Sequence, residues 1–273
     1  MTKVIRTDSK NNDFQKVDVL KRNRKKRSKN NAFFVEGAKS INNAVENGWK
    51  IETFIYAYEA SLSHWAKALL EKAEADLHLE LSTSLMEALS DKEEGTELLA
   101  VVSIPKDDLS RLPVHKDMII VIFDRPSNYG NLGTLIRTCE ALKVDGIIIS
   151  GHAVDLYDTR TIRASLGTFF SVPIIRVDSP EEVAAWVKTV KLKEKDFKVI
   201  ASTAKTEVSV DEADLSKGLA LMIGNETMGL SHRFKEMSDE MVKIPMYGQI
   251  TSFNVACAAS IMIYEIERQR RSK

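Results

Sequence analysis

From residue 117 onward, short unbroken apolar runs alternate with amphipathic stretches, and this rhythm limits the fold more than any other feature. MIIVIFD (118–124), DGIIIS (145–150), SVPIIRV (171–177), FKVIAST (197–203) and LALMIG (219–224) each read as a strand apolar on both faces. Such strands must be covered above and below, as in a parallel α/β sheet. The segments between them read as helices: NLGTLIRTCEAL (131–142), residues 158–167 and SPEEVAAWVKTVKL (179–192). The last carries Ser179 as N-cap, Pro180 as its first residue and acids in its first turn. A short helix through His232 and Phe234, a strand MVKIPM (241–246) and a final helix from about Ser252 to Gln269 complete the pattern. The fold class is α/β with a parallel sheet.

Residues 1–105 have a different texture and read as a small α+β unit. FFVEG (33–37), IETFIYA (51–57), LHLELS (77–82) and ELLAVVSIP (97–105) are strands. AKSINNAVENG (38–48), stopped by Gly48, SHWAKALLEKAEA (63–75) and SLMEALS (84–90) are helices. A polar connector from Pro105 to Pro113 sets the expected division at 1–108 and 109–273. The stretch KVDVLKRNRKKRSK (16–29) is either a basic helix or an extended arm.

Net charge is zero, but residues 1–30 carry 11 Lys/Arg against 3 acids, leaving 28 basic and 36 acidic residues elsewhere. A basic end on an acidic body suits a polyanion partner, because phosphates release counterions when Lys and Arg neutralise them. A solvated, frayed terminus is the plainer reading of the same charges. The two cysteines, Cys139 and Cys257, sit in apolar helical patterns and read as small buried thiols of a reducing compartment. No Cys/His cluster has zinc-ligand spacing, so no metal is expected. The N-terminus is too basic for a secretory signal, and VACAASIMIY (255–264) is too short to span a bilayer, so a soluble cytoplasmic protein is expected.

Ligands of open parallel sheets bind beyond the carboxyl ends of the strands. Three segments there mix Gly with Asn, Glu or Ser: DRPSNYGNLGTLIRT (124–138), GNETMGLS (224–231) and YGQITSFN (247–254). The first is neither a dinucleotide fingerprint nor a Walker A loop. Alone, Asn128 and Asn131 read as turn and cap residues, Arg137 as a surface ion pair, Glu226 as a helix N-terminal charge, and Ser252 as the last helix's N-cap with Asn254 in its first turn. Spacing by itself implies no more than a nucleotide-like ligand.

In order and spacing these segments resemble the three signature motifs of the SpoU-type (TrmH-like) RNA ribose methyltransferases of the SPOUT superfamily. Asn131, Gly133 and Arg137 match the first motif. Gly224, Glu226, Gly229 and Leu230 match the second, and Ile244, Pro245, Met246, Gly248, Ser252, Asn254 and Val255 the third. Phe253 stands where the family usually has Leu and keeps an apolar group. LKRNRKKRSKNNAFFVEGAKSINNAVENG (20–48) is similar to the family's ribosomal-protein-like RNA-binding module.

The resemblance implies a trefoil knot at the C-terminus, a homodimer packed through the small and apolar residues of the last helix, and S-adenosylmethionine as cofactor. It implies methyl transfer to a ribose 2′-hydroxyl, most readily of 23S ribosomal RNA. Transfer RNA, or a non-catalytic assembly role on RNA, is the alternative. Met222, Ile223, Gly224, Ile244, Met246, Gly248, Phe253 and Asn254 would hold the cofactor. Arg137 would be catalytic, aided by Asn131, Glu226, Ser252 and Asn254. A guanidinium stays charged, so Arg137 suits a fixed cation for a developing alkoxide or a bidentate phosphate clamp better than a free base. Lys21, Arg22, Arg24, Lys25, Lys26 and Arg27 would bind RNA, and Phe14, Phe33 and Phe34 would serve as core or as stacking platforms.

Overall fold

A computed structural model of the chain describes residues 3–91 and 96–272. Along the first part run β1 (Lys3–Thr7), α1 (Asn12–Arg22), α2 (Arg24–Asn30), β2 (Ala32–Glu36), α3 (Ala38–Glu46), β3 (Ile51–Ala57), α4 (His64–Lys72), β4 (Ala75–Leu81), α5 (Thr83–Leu89) and β5 (Leu98–Ser103). The second part holds β6 (Ile119–Asp124), α6 (Tyr129–Ala141), β7 (Gly146–Ser150), α7 (Thr159–Ala164), β8 (Ile174–Val177), α8 (Pro180–Lys193), β9 (Lys198–Ser202), β10 (Leu219–Ile223), α9 (His232–Glu236), β11 (Glu240–Val242) and α10 (Val255–Arg271).

Two compact units form. The first runs to Lys106 and also takes in Tyr157–Ser171, while the second comprises Asp107–Leu156 and continues from Val172. α7 thus leaves its sequence neighbours for the first unit. An aromatic cluster holds it there. Phe33 lies 4.8 Å from Tyr157, 5.9 Å from Phe169 and 6.2 Å from Phe170 between ring centroids, and Trp49 lies 5.2 Å from Phe170. Trp49 Nε1 donates to the Phe170 carbonyl at 3.0 Å.

The first unit's sheet has the order β1-β4-β3-β5-β2, with β5 antiparallel to β2 and β3 and the β1-β4-β3 pairs parallel. Phe14, Phe33 and Phe34 are all buried, which settles them as core rather than as platforms for bases. The 16–29 stretch is helical but broken at Asn23. Asn23 ends α1 and caps α2, its side chain accepting from the Lys26 N–H. Gly48, at φ +70°, closes α3 as expected: its N–H bonds to Val45 and that of Trp49 to Ala44.

The second unit's sheet is parallel throughout, in the order β11-β9-β10-β6-β7-β8. Ile120, Ile122, Ile148, Val199 and Met222 on one face pack with Val183, Trp186, Val187 and Val190 of α8. Each fully buried side chain of this kind contributes about 1.5–3 kcal/mol. From β6 the chain moves outward through β7 and β8, then returns to the other side of β6 as β9 and β10. A topological switch point therefore lies between β6 and β10, where Phe123 is paired with Ile223.

Two boundaries differ from expectation. β11 stops at Val242, so Ile244, Pro245 and Met246 lie beyond it; a proline nitrogen donates nothing to a ladder. The last helix starts at Val255, and Asn254 rather than Ser252 caps it, accepting from the Ala256 and Cys257 N–H groups. Cys139 is buried, which drives its thiol pKa upward, whereas Cys257 is exposed on α10 and corrects the expectation of two buried thiols. Among the described residues no helix is long and apolar enough to cross a membrane, and no three His, Cys, Asp or Glu are grouped for a metal ion.

Candidate active site

At the switch point β6 ends in Asp124, which is buried and accepts from Arg125 Nε at 2.8 Å and Nη2 at 2.9 Å. Arg125 is left-handed, at φ +52°, and this turn brings its side chain back onto its neighbour. Its Nη2 also donates to the Gly229 carbonyl at 3.2 Å, and its own carbonyl accepts from Asn225 Nδ2 at 2.7 Å. The Ser231 N–H donates to Asp124 at 2.8 Å. The loops after β6 and β10 are thus fastened together at their bases.

The loop after β10 folds tightly on itself. Asn225 and Gly229 exchange backbone hydrogen bonds of 3.2 and 2.9 Å, and Asn225 Oδ1 accepts from the Thr227 and Met228 N–H groups. A Cβ at Gly224 would lie 2.3 Å from the Leu230 nitrogen, so this glycine is required by the loop's own closure. Gly248 is exposed, and a Cβ there would meet no atom of the chain within 4 Å.

Glu226 projects from that loop to the start of α6. One carboxylate oxygen accepts from the Ser127 N–H (2.9 Å) and hydroxyl (2.6 Å), and the other from the Asn128 N–H (3.1 Å) and Asn131 Nδ2 (3.2 Å). Asn131 Oδ1 in turn accepts from Asn254 Nδ2 at 3.0 Å. Glu226, Asn131 and Asn254 therefore join the three motif loops in one chain of hydrogen bonds. Partial burial pushes the Glu226 pKa up, but the bonds from Ser127, its own backbone N–H and Asn131 outweigh it and hold the group below its ordinary value. It is a charged acceptor and a poor proton acceptor.

The second and third motif loops, with the end of β9, surround a cavity of about 420 Å³, within the range of small-molecule sites. Ile223, Gly224, Glu226, Ile244, Met246, Ser252 and Phe253 line it, with Leu230, Val255 and Met262 adding apolar wall. Met222 does not: strand alternation turns it into the sheet core, where it is fully buried. Ser202, Thr203 and Lys205 also line the cavity. They lie at and just beyond the carboxyl end of β9, and strand position alone would have identified them. Asn128 caps α6, which starts at Tyr129. Arg137 lies exposed on α6 outside the cavity lining, with no ion-pair partner among the described residues. Thr138 and Ser260, 2.9 Å apart between hydroxyls, hold α6 against α10.

In the first unit the expected RNA-binding cations divide. Arg22, Arg24, Lys25 and Lys26 are exposed. Arg27 is buried, donating to the carbonyls of Leu20 and Lys21 at 2.8 and 2.9 Å and to Asp158 at 3.3 Å. Lys21 keeps 8% of its side chain exposed and is bound to Asp91 at 2.5 Å and the Leu89 carbonyl at 2.7 Å. Both spend their donors inside the fold.

The SpoU rRNA Methylase family model matches residues 118–264, and a SpoU L30e-like domain matches residues 11–100. The chain belongs to the SpoU rRNA methylase family. It is 39% identical over 268 residues to a 23S rRNA (uridine(2479)-2′-O)-methyltransferase of Streptomyces viridochromogenes, covering 98% of this chain and 93% of that one. It is 26% identical to the 23S rRNA (guanosine(2553)-2′-O)-methyltransferase RlmP of Bacillus subtilis, covering 92% and 96%. The crystal structure of the SpoU methyltransferase AviRb from S. viridochromogenes in complex with AdoMet superimposes with a TM-score of 0.91 at 39% identity, covering 96% of this chain and 99% of that one.

Proposed function

We propose that this chain transfers a methyl group from S-adenosylmethionine to a ribose 2′-hydroxyl of 23S ribosomal RNA. The observation that carries the reading is the Glu226–Asn131–Asn254 chain, which ties the two motif loops that line the cavity to the start of α6, the helix that carries the exposed Arg137. The names of its relatives supply the reaction class and the RNA.

The cavity suits the cofactor: Ile223, Ile244, Met246 and Phe253 offer apolar wall for a purine, and Ser202, Thr203, Lys205 and Ser252 offer polar groups for the ribose and amino-acid ends. When bound, S-adenosylmethionine supplies a sulfonium-activated methyl group. The chain's own task is to place the attacking oxygen in line and to stabilise the charge it develops. Arg137, a permanent cation, meets the target phosphodiester and the emerging alkoxide, while a phosphate oxygen or water takes the hydroxyl proton. Asn131, Ser252 and Asn254 orient the ribose and its surroundings. Glu226 acts through Asn131 as the tie between loops, since its low pKa suits it poorly to accept the proton.

The same reading includes a trefoil knot, a homodimer and a cytoplasmic setting. α10 lies against the β9–β10 connector, where Gln269 bonds to the backbone of Ala213 and Leu215, and Arg270 reaches the carbonyls of Asp117 and Lys217. That return of the C-terminus past an earlier connector supports a threaded chain. Exposed Ile261 and Tyr264 support a partner subunit on α10.

The test is transfer of a radiolabelled methyl group to unmodified 23S rRNA and to transfer RNA. Alkali cleaves RNA through a free 2′-hydroxyl, so ribose methylation leaves labelled alkali-resistant dinucleotides. The reading expects them from 23S rRNA. Label in transfer RNA alone, or none in either, overturns it.

A further inference from the structure

Tyr247 directly follows Met246, which lines the cavity of the second unit, and it is 98% exposed. Among the described residues it has no hydrogen-bond, ring or cation partner, whereas Tyr56, Tyr58, Tyr157 and Tyr264 each pack on a ring or a cation. We propose that the Tyr247 ring stacks on an unpaired nucleobase at the methylation site of the substrate RNA, and so positions the ribose for attack. The inference rests on the RNA-methylating reading above.

The ring contributes little to the fold, because an aromatic left in water forfeits the gain of burial. Its surroundings suit a flat, neutral partner. Residues 244–264 carry no charged side chain. The other loop of the cavity, residues 224–230, carries only Glu226, and that carboxylate is turned to Ser127, Asn128 and Asn131. Met228, on that loop, lines the cavity and is 75% exposed, and Ile250 is 64% exposed beside Thr251, another lining residue. A phosphate would find no cation on either loop, whereas a base offers apolar faces that an aromatic ring covers whatever its sequence. The reaction brings such a group here. The attacking oxygen must reach a methyl group held in the cavity, so bases attached close to that oxygen come to the cavity's mouth.

The test compares the parent with Tyr247→Ala, Tyr247→Leu and Tyr247→Phe in methylation kinetics on unmodified 23S rRNA. S-adenosylmethionine affinity, thermal midpoint and sedimentation are measured alongside. Loss of stacking in the alanine and leucine variants raises KM for the RNA on the order of tenfold, with S-adenosylmethionine affinity, midpoint and sedimentation unchanged. The phenylalanine variant keeps the parent's KM. An alanine variant with the parent's KM overturns the proposal. So does a leucine variant with the parent's KM, which would make the contact merely apolar, or a phenylalanine variant as impaired as alanine, which would assign the contact to the hydroxyl. A KM rise matched by lost S-adenosylmethionine affinity, or by altered sedimentation, overturns it too, since the ring would then serve the cavity or a second copy of the chain. A parent that methylates no RNA overturns the functional reading itself, a distinguishable result.

Discussion

Replacing Glu226 by Gln keeps the shape of the site and removes one charge. The carboxylate takes four donors, two on each oxygen. An amide presents one oxygen and one NH₂. Its least costly placement turns the NH₂ toward Ser127, whose hydroxyl can reverse and accept, while the Ser127 N–H is left facing another donor. One unmet donor costs about 1 kcal/mol at a half-exposed site, and the two bonds to the remaining oxygen lose charge assistance worth about 0.5 kcal/mol each. The sum, roughly 2 kcal/mol, opposes the loop closure that forms the cavity. Calorimetric titration with S-adenosylmethionine should then give a Kd roughly 30-fold above the parent's. A Kd within threefold of the parent, in a protein with an unchanged thermal midpoint, would refute the role given to this carboxylate.

Arg137→Ala should keep S-adenosylmethionine affinity and lose about 10²–10³-fold in kcat on 23S rRNA, as for removal of one oxyanion donor; single-turnover methylation checks it. Gly224→Ala forces a Cβ to 2.3 Å from a backbone nitrogen, so differential scanning calorimetry should find a loss of about 1–3 kcal/mol and titration should find the cofactor site impaired. Because the Glu226 pKa is held down in the fold, its tie is fully present above the ordinary carboxylate value and is lost as pH falls through the depressed one. Cofactor affinity should therefore show no Glu226-dependent change between about pH 6 and 8, and should collapse only in acid; an inflection near neutrality that Glu226→Gln abolishes would contradict this.

The second unit was largely legible because its strands are buried on both faces, and unbroken runs such as Ile119–Phe123 have no other stable place. β1 escaped notice because KVIRT is a mostly exposed edge strand with no apolar pattern. The assignment of Ser252 as helix cap failed because Ser and Asn cap equally well, and only the fold shows that the Ala256 and Cys257 N–H groups donate to Asn254. Met222 and Ile223 are adjacent and equally apolar, so sequence could not tell which faces the cavity. Lys21 and Arg27 advertised charge but not burial, since the acids that bind them, Asp91 and Asp158, lie far along the chain. The capture of α7 by the first unit likewise depends on aromatic packing with distant Phe33 and Trp49.

Where the methyl group lands tests the account most directly. Purified protein would be incubated with unmodified 23S rRNA and isotope-labelled S-adenosylmethionine, and the digested nucleosides read by mass spectrometry. Label is expected on one nucleoside, carried by the ribose fragment, and at a rate about 10²–10³-fold lower with Arg137→Ala. Label on a base fragment, or an equal rate of ribose labelling by both proteins, would contradict the account.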